Sequence, residues 1–112
     1  MKVKDLVKNH NLTGSLLESI HVSDDGKTIC LEIDYCYWQQ TNYNEEDEET
    51  GILLFTFENC DFFSFDDYNI NSDEIVKVEL NNNELVICVE NDLTGNYHYI
   101  RINAQNVTVS AK

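Results

Sequence analysis

The stretch "KTICLEIDYCYW" alternates strictly along its length. Ile29, Leu31, Ile33, Tyr35 and Tyr37 fall on one side of an extended chain, and Thr28, Cys30, Glu32, Asp34, Cys36 and Trp38 on the other. Successive side chains of a strand point to opposite faces, so this period of two requires a sheet with one buried side. The same rhythm recurs along the chain. "SLLESIHV" precedes it across "SDDGK", whose Asp-Gly marks a hairpin because glycine accepts a positive φ. "GILLFTFE" is apolar on both faces and reads as a central strand covered on both sides. "CDFFSF" follows it past a bend or bulge at Asn59. "EIVKVEL" and "ELVICVE" flank a second hairpin at Asn81, Asn82 and Asn83, and "YHYIRI" and "NVTVS" complete the series.

These segments predict a mainly β domain (α+β at most): an antiparallel meander of seven or eight strands forming a sandwich or partial barrel. One short N-terminal helix is expected over residues 3–9, where Val3, Leu6 and Val7 share a stripe. So short a helix is marginal alone and has to dock on the sheet. With 112 residues, 42% of them hydrophobic, the chain suffices for one core, and it reads as a single domain over residues 1–112. The one long connection runs from Gln39 to Thr50. No apolar run approaches the roughly 20 residues of a membrane-spanning helix, and "MKVKDLVKNHNL" does not read as a secretory signal. Cys30, Cys36, Cys60 and Cys88 form no C-x-x-C pair and sit in or beside apolar strands. They read as buried free thiols, which favours a reducing, cytoplasmic setting. Fourteen asparagines and no proline hint at an AT-rich, bacterial coding sequence.

Charge is the second constraint. The net charge of −14 comes from 21 acids and 7 bases. Between Lys27 and Lys77 there is no lysine, arginine or histidine, while 13 carboxylates lie in that interval. Five of them are consecutive, Glu45, Glu46, Asp47, Glu48 and Glu49, directly ahead of "ILLFTF". A field of one sign steers an oppositely charged partner, and Tyr and Trp are the side chains that most often anchor interfaces. Trp38, Tyr43 and Tyr68 lie in the same block. These eight residues form the candidate surface for a basic protein partner. Two readings of the acidic run stay open: a steering surface, or gatekeepers beside a strand that would aggregate while unfolded. Direct nucleic-acid binding is not expected, because backbone phosphates need Lys and Arg.

Chemistry-bearing motifs are sparse. "DYNINSDE" sets Asp67, Asn69, Asn71 and Asp73 at positions 1, 3, 5 and 7 of an EF-hand-like loop. Position 6 is Ser72 rather than glycine and position 12 is Val78 rather than glutamate, so a polar turn is the better reading and a calcium-responsive domain the third choice. No nucleophile elbow, P-loop, dinucleotide fingerprint or zinc-protease motif occurs. No cofactor and no enzymatic activity are expected.

The order of elements also resembles small bacterial immunity proteins, the cytoplasmic inhibitors paired with delivered toxins. The likeness covers residues 12–65: the turn Thr13-Gly14-Ser15, "SLLESIHV", the long alternating strand and "LLFTFENC" with Phe57-Glu58-Asn59-Cys60. The family's turn carries a His and an Asp that this chain lacks, so no site residue carries over. The resemblance implies a non-catalytic binder of a basic toxin or nuclease. The alternative from the residues is a structural β-domain that self-associates, as a homodimer, through exposed strand edges.

Overall fold

The computed structural model describes residues 1–40, 44, 48 and 50–112. A short helix, α1 (Val3–Asn9), precedes six strands: β1 (Leu16–Val22), β2 (Ile29–Cys36), β3 (Thr50–Phe65), β4 (Asp73–Asn81), β5 (Glu84–Glu90) and β6 (Tyr97–Ala111). Every ladder is antiparallel, and the strands close into one barrel in the order β1-β2-β3-β6-β5-β4. The mainly β, antiparallel class and the helix at residues 3–9 agree with the sequence; the strand count and the closure differ from it.

Six strands replace seven or eight because two pairs of segments fuse. "GILLFTFE" and "CDFFSF" are one 16-residue strand, bent where Asn59 takes φ 53° and the register shifts between Cys60 and Phe62. "YHYIRI" and "NVTVS" form one 15-residue strand, paired to β3 along most of its length. A bulge lets a strand bend and twist without ending, which is how so long a pair wraps a small barrel.

Closure also corrects the reading of "GILLFTFE" as covered on both sides. Phe55 and Phe57 point inward and are fully buried, whereas Ile52 and Leu54 face outward and are only half-buried. A closed barrel has one interior and no second sheet to lie over its outer wall. The alternation in β2 holds as expected, with Ile29, Leu31, Ile33 and Tyr35 buried. They meet Ile75, Leu85, Ile87, Val89, Ile100 and Ile102 in one core. At roughly 2 kcal/mol for each fully buried large apolar side chain, this interior dominates the stability of the fold.

The β1–β4 seam is the shortest in the barrel. Only Leu16 with Glu74 and Leu17 with Asp73 are in register, extended by Gly14 N–H donating to the Ile75 carbonyl (2.8 Å) and Ile75 N–H to that of Ser15 (2.9 Å). Gly14 has φ 89°, a backbone state that disfavours any side chain. Ser15 is fully buried, and its Oγ accepts the Cys36 N–H at 2.9 Å, tying the seam to the end of β2.

Helix α1 is anchored by tertiary packing rather than by its caps. Met1 and Val107 exchange backbone hydrogen bonds of 2.8 and 2.9 Å, and Val3 and Leu6 are buried. The helix lies against β4 and β6. His10, just past its end, has its ring centroid 6.0 Å from that of Tyr35 and 6.2 Å from that of Phe55.

A candidate interaction surface

The turn leaving β2 sets the first site residue. Tyr37–Gln39 form one turn of 3-10 helix, and Trp38 stands 55% exposed on it. The turn is held from below by Gly51: a Cβ there would meet Tyr37 Cε2 at 2.8 Å, so only glycine lets the ring lie against β3. Tyr37 also packs edge-on against Tyr35, at 5.4 Å and 84°. Gln40 closes the turn, donating from Nε2 to the carbonyls of Cys36 and Asn11, each at 2.9 Å. Glu48 is exposed; Tyr43, Glu45, Glu46, Asp47 and Glu49 lie outside the described residues.

Tyr68 is placed differently from Trp38. It belongs to the connection after β3, at the opposite end of that strand from the Trp38 turn, and it is half-buried. Its ring stacks on His98 at 3.7 Å and 5°, and His98 Nδ1 lies 3.0 Å from Asp66 Oδ2. The phenol oxygen is buried with no well-aligned hydrogen-bond partner. Burial first, and then the nearby Asp73 carboxylate, push its ionisation well above the usual tyrosine range. Tyr68 therefore serves the packing beneath the surface and does not present its polar end to a partner.

The same loop accounts for the calcium-like spacing. Asp67, Asn69 and Asn71 are exposed, but Asp73 is fully buried as the first residue of β4. Its carboxylate accepts from Asp92 N–H (3.0 Å), Asn91 Nδ2 (3.1 Å) and Asn71 N–H (3.3 Å). Burial alone would push the Asp73 carboxyl up; these hydrogen bonds outweigh it and hold the carboxyl below the usual range. Asn91, itself buried, also donates to the Asn69 carbonyl and accepts from the Thr94 N–H and hydroxyl. Asp73 and Asn91 thus brace the loops before β4 and after β5. Among the described residues no three His, Cys, Asp or Glu side chains come close enough to hold a metal ion.

On top of this braced frame lies a row of outward side chains. Register partners in a ladder share a face, so Ile52, Asp34, Leu16, Glu74, Glu90 and Tyr97 line up across all six strands. Glu74 and Glu90 are directly opposite one another, an arrangement that destabilises a sheet. A shallow cavity of about 290 Å³ opens beside them, lined also by Leu16, Ser72, Asp92 and Gly95.

The bases do not relieve this surface. Lys112 pairs with Glu32 (2.6 Å), Arg101 with Glu84 (2.8 Å) and Lys77 with Glu79 (2.9 Å); Lys77 stands in the neighbouring row, in register with Cys88 and through it with Tyr99. Among the described residues Asp34, Glu74 and Glu90 have no ion-pair partner. Next to Glu90 the outer wall carries Tyr97, 60% exposed, and Tyr99, 50% exposed. The acidic groove and the aromatic pair are therefore contiguous.

Tyr97 and Tyr99 escape a reading centred on the base-free block, which stops at Lys77. The alternation within "YHYIRI" could have found them, because Ile100 and Ile102 must face inward and the two tyrosines then face out. The facing of Glu74 and Glu90 has no sequence signal: the hairpin register counted back from Asn82 and Asn83 would set Glu74 against Asn91, and only the bulge between Ile75 and Lys77 brings Glu90 opposite it.

The chain is thus a closed six-stranded antiparallel barrel with an acidic, aromatic-edged groove on its outer wall. Comparisons with protein-family models, with curated proteins and with solved structures find no match. Among the described residues no helix is long and apolar enough to cross a membrane.

Proposed function

We propose that this protein is a non-catalytic, acidic module that binds a basic protein surface. The supporting observation is the directly opposed pair Glu74 and Glu90, without a cation, in a groove edged by Tyr97 and Tyr99. Like charges held across a ladder cost folding free energy that a bound Lys or Arg side chain would return. The groove has room for one such side chain, and the tyrosine faces attract the same cation. The consecutive carboxylates Glu45 to Glu49 add to the negative charge of the chain, and the exposed Trp38 offers a further aromatic contact. This role agrees with the resemblance to immunity proteins, whose partners are basic toxins and nucleases, and a toxin or nuclease inhibitor is the form of the proposal we favour.

The test is affinity capture with paired baits. Immobilised wild type and the Glu74→Gln, Glu90→Gln double variant are exposed to lysate from the source organism and from its competitors. The expected result is a basic protein retained by wild type, released by salt and retained poorly by the variant. Equal retention by both baits, or release that does not depend on salt, refutes the role of the groove. A stable dimer of the protein alone that survives the double substitution would favour the self-associating reading. Its available edges are β1 beyond Leu17 and β4 beyond Ile75, which lack ladder partners on their shared side among the described residues.

A further inference from the structure

A second cavity, of about 600 Å³, lies where the chain start meets the β4–β5 hairpin tip and the middle of β6. Its walls carry Lys2 and Lys4, Asp61, and the side-chain amides of Asn82, Asn83, Asn103, Gln105 and Asn106, over an apolar floor of Val3, Leu80 and Ala104. It shares no residue with the acidic groove.

Three features set this cavity apart. First, it reverses the local charge: two ammonium groups face one carboxylate in a chain of net charge −14. Neither Lys2 nor Lys4 has an ion-pair partner among the described residues. Second, the bulge in β3 falls here. Cys60 pairs with Ala104 and Phe62 with Asn103, so Asp61 is the extra residue, turned into the cavity beside Asn59 at φ 53°. Bulges commonly re-aim a side chain next to a binding site. Third, five amides converge from two separate elements, and none of their side chains bonds to another described protein group.

An amide side chain both donates and accepts, as does a sugar hydroxyl, while a lone carboxylate accepts from adjacent hydroxyls. An apolar floor suits the C–H face of a pyranose ring. Two lysines supply the charge for a phosphate group. The volume falls within the usual 300–1,000 Å³ of small-molecule sites. We infer that this cavity binds a phosphorylated sugar, with Lys2 and Lys4 on the phosphate and Asp61 and the amides on the hydroxyls.

Nitrogen-15 NMR titration of the whole chain tests it, using glucose 6-phosphate, glucose and inorganic phosphate as separate probes at millimolar concentration. Glucose 6-phosphate is expected to shift the signals of Asn82, Asn83, Asn103 and Gln105 saturably, leaving those of Glu74 and Glu90 in place. The Lys2→Gln, Lys4→Gln variant should bind about tenfold more weakly, the loss expected on removing a charge-assisted contact. Asp61→Asn should weaken glucose 6-phosphate and leave any phosphate response unchanged. Both variants are at the surface, and an otherwise unchanged spectrum certifies their fold. Equal response to inorganic phosphate alone, an adventitious ion only, overturns the inference, as does no saturable shift with glucose 6-phosphate.

Discussion

Glu90→Gln should make this protein more stable while making it a poorer binder. Across an antiparallel ladder opposed Cα atoms lie about 4.5–5.5 Å apart, and Glu74 and Glu90 occupy such a position with no cation beside them. Two unit charges about 5.5 Å apart in water repel by roughly 0.8 kcal/mol. Screening at physiological salt, with a Debye length of about 8 Å, reduces this to roughly 0.4 kcal/mol. Replacing either carboxylate should therefore raise the unfolding free energy by about 0.4–0.8 kcal/mol, or a few degrees in Tm. Because the repulsion belongs to the pair, Glu74→Gln added to Glu90→Gln should contribute little further. The assay is thermal and urea unfolding of the four proteins of that cycle at low and high salt, with the increment shrinking as salt rises. A loss of stability in Glu90→Gln, or an increment indifferent to salt, would refute the claim that the pair is strained. The proposed cation-binding role would then lose its chief support.

Other expectations follow from the frame beneath the groove. Asp73→Ala leaves the Asn91 amide and the Asp92 and Asn71 N–H groups without their acceptor, and should cost about 2–4 kcal/mol in denaturant unfolding. Because the Asp73 carboxyl is held below its unfolded value, the stability it gives is complete above about pH 4 and is lost as pH falls through the lowered native value. Asp73→Asn should accordingly flatten the acid limb of the stability profile, as measured by urea midpoints from pH 6 down to about 2. Gly51→Ala drives a methyl group into the Tyr37 ring and should cost about 1–3 kcal/mol, with a changed emission from Trp38 on the same turn. Trp38→Ala should leave stability within about 0.5 kcal/mol, since the ring is more than half exposed. Surface plasmon resonance against the captured partner should show it shortening the residence time.

Much of the fold was legible because alternation is a local signal. Ile29, Leu31, Ile33 and Tyr35 announce an inward face wherever the strand lies, and the paired asparagines and Asp-Gly announce hairpins. Closure was not legible in this way. It depends on Gly14 and Ser15 meeting Ile75, residues about sixty positions apart with no pattern linking them. Strand number failed for a related reason. Asn59 and Ala104-Gln105 look like breaks in isolation, yet each is spanned because the opposite strand continues past it. For the site, a linear charge count found an acidic block but could not see that Glu32 meets Lys112, eighty residues away, or that Asp73 is turned inward. Glu90 and Tyr97, which lie outside the block, become important only once the register places them beside Glu74.

The strand order has a consequence for how the chain is made. β6 is the last strand synthesised, yet it sits in the middle of the wall, between β3 and β5. Until it emerges from the ribosome, β3 has a neighbour on one side only and "ILLFTF" faces solvent or a passing nascent chain along an open edge. At about 5–20 residues per second, the 46 residues from the end of β3 at Phe65 to the end of β6 at Ala111 take about 2–9 seconds to appear. For that interval the five carboxylates two residues ahead of "ILLFTF", together with Glu58 directly after it, flank the strand with charge that repels like chains. Their value would then be greatest before the barrel exists, and neutralising them would show first as lost soluble yield in cells, with little change in the purified, folded protein.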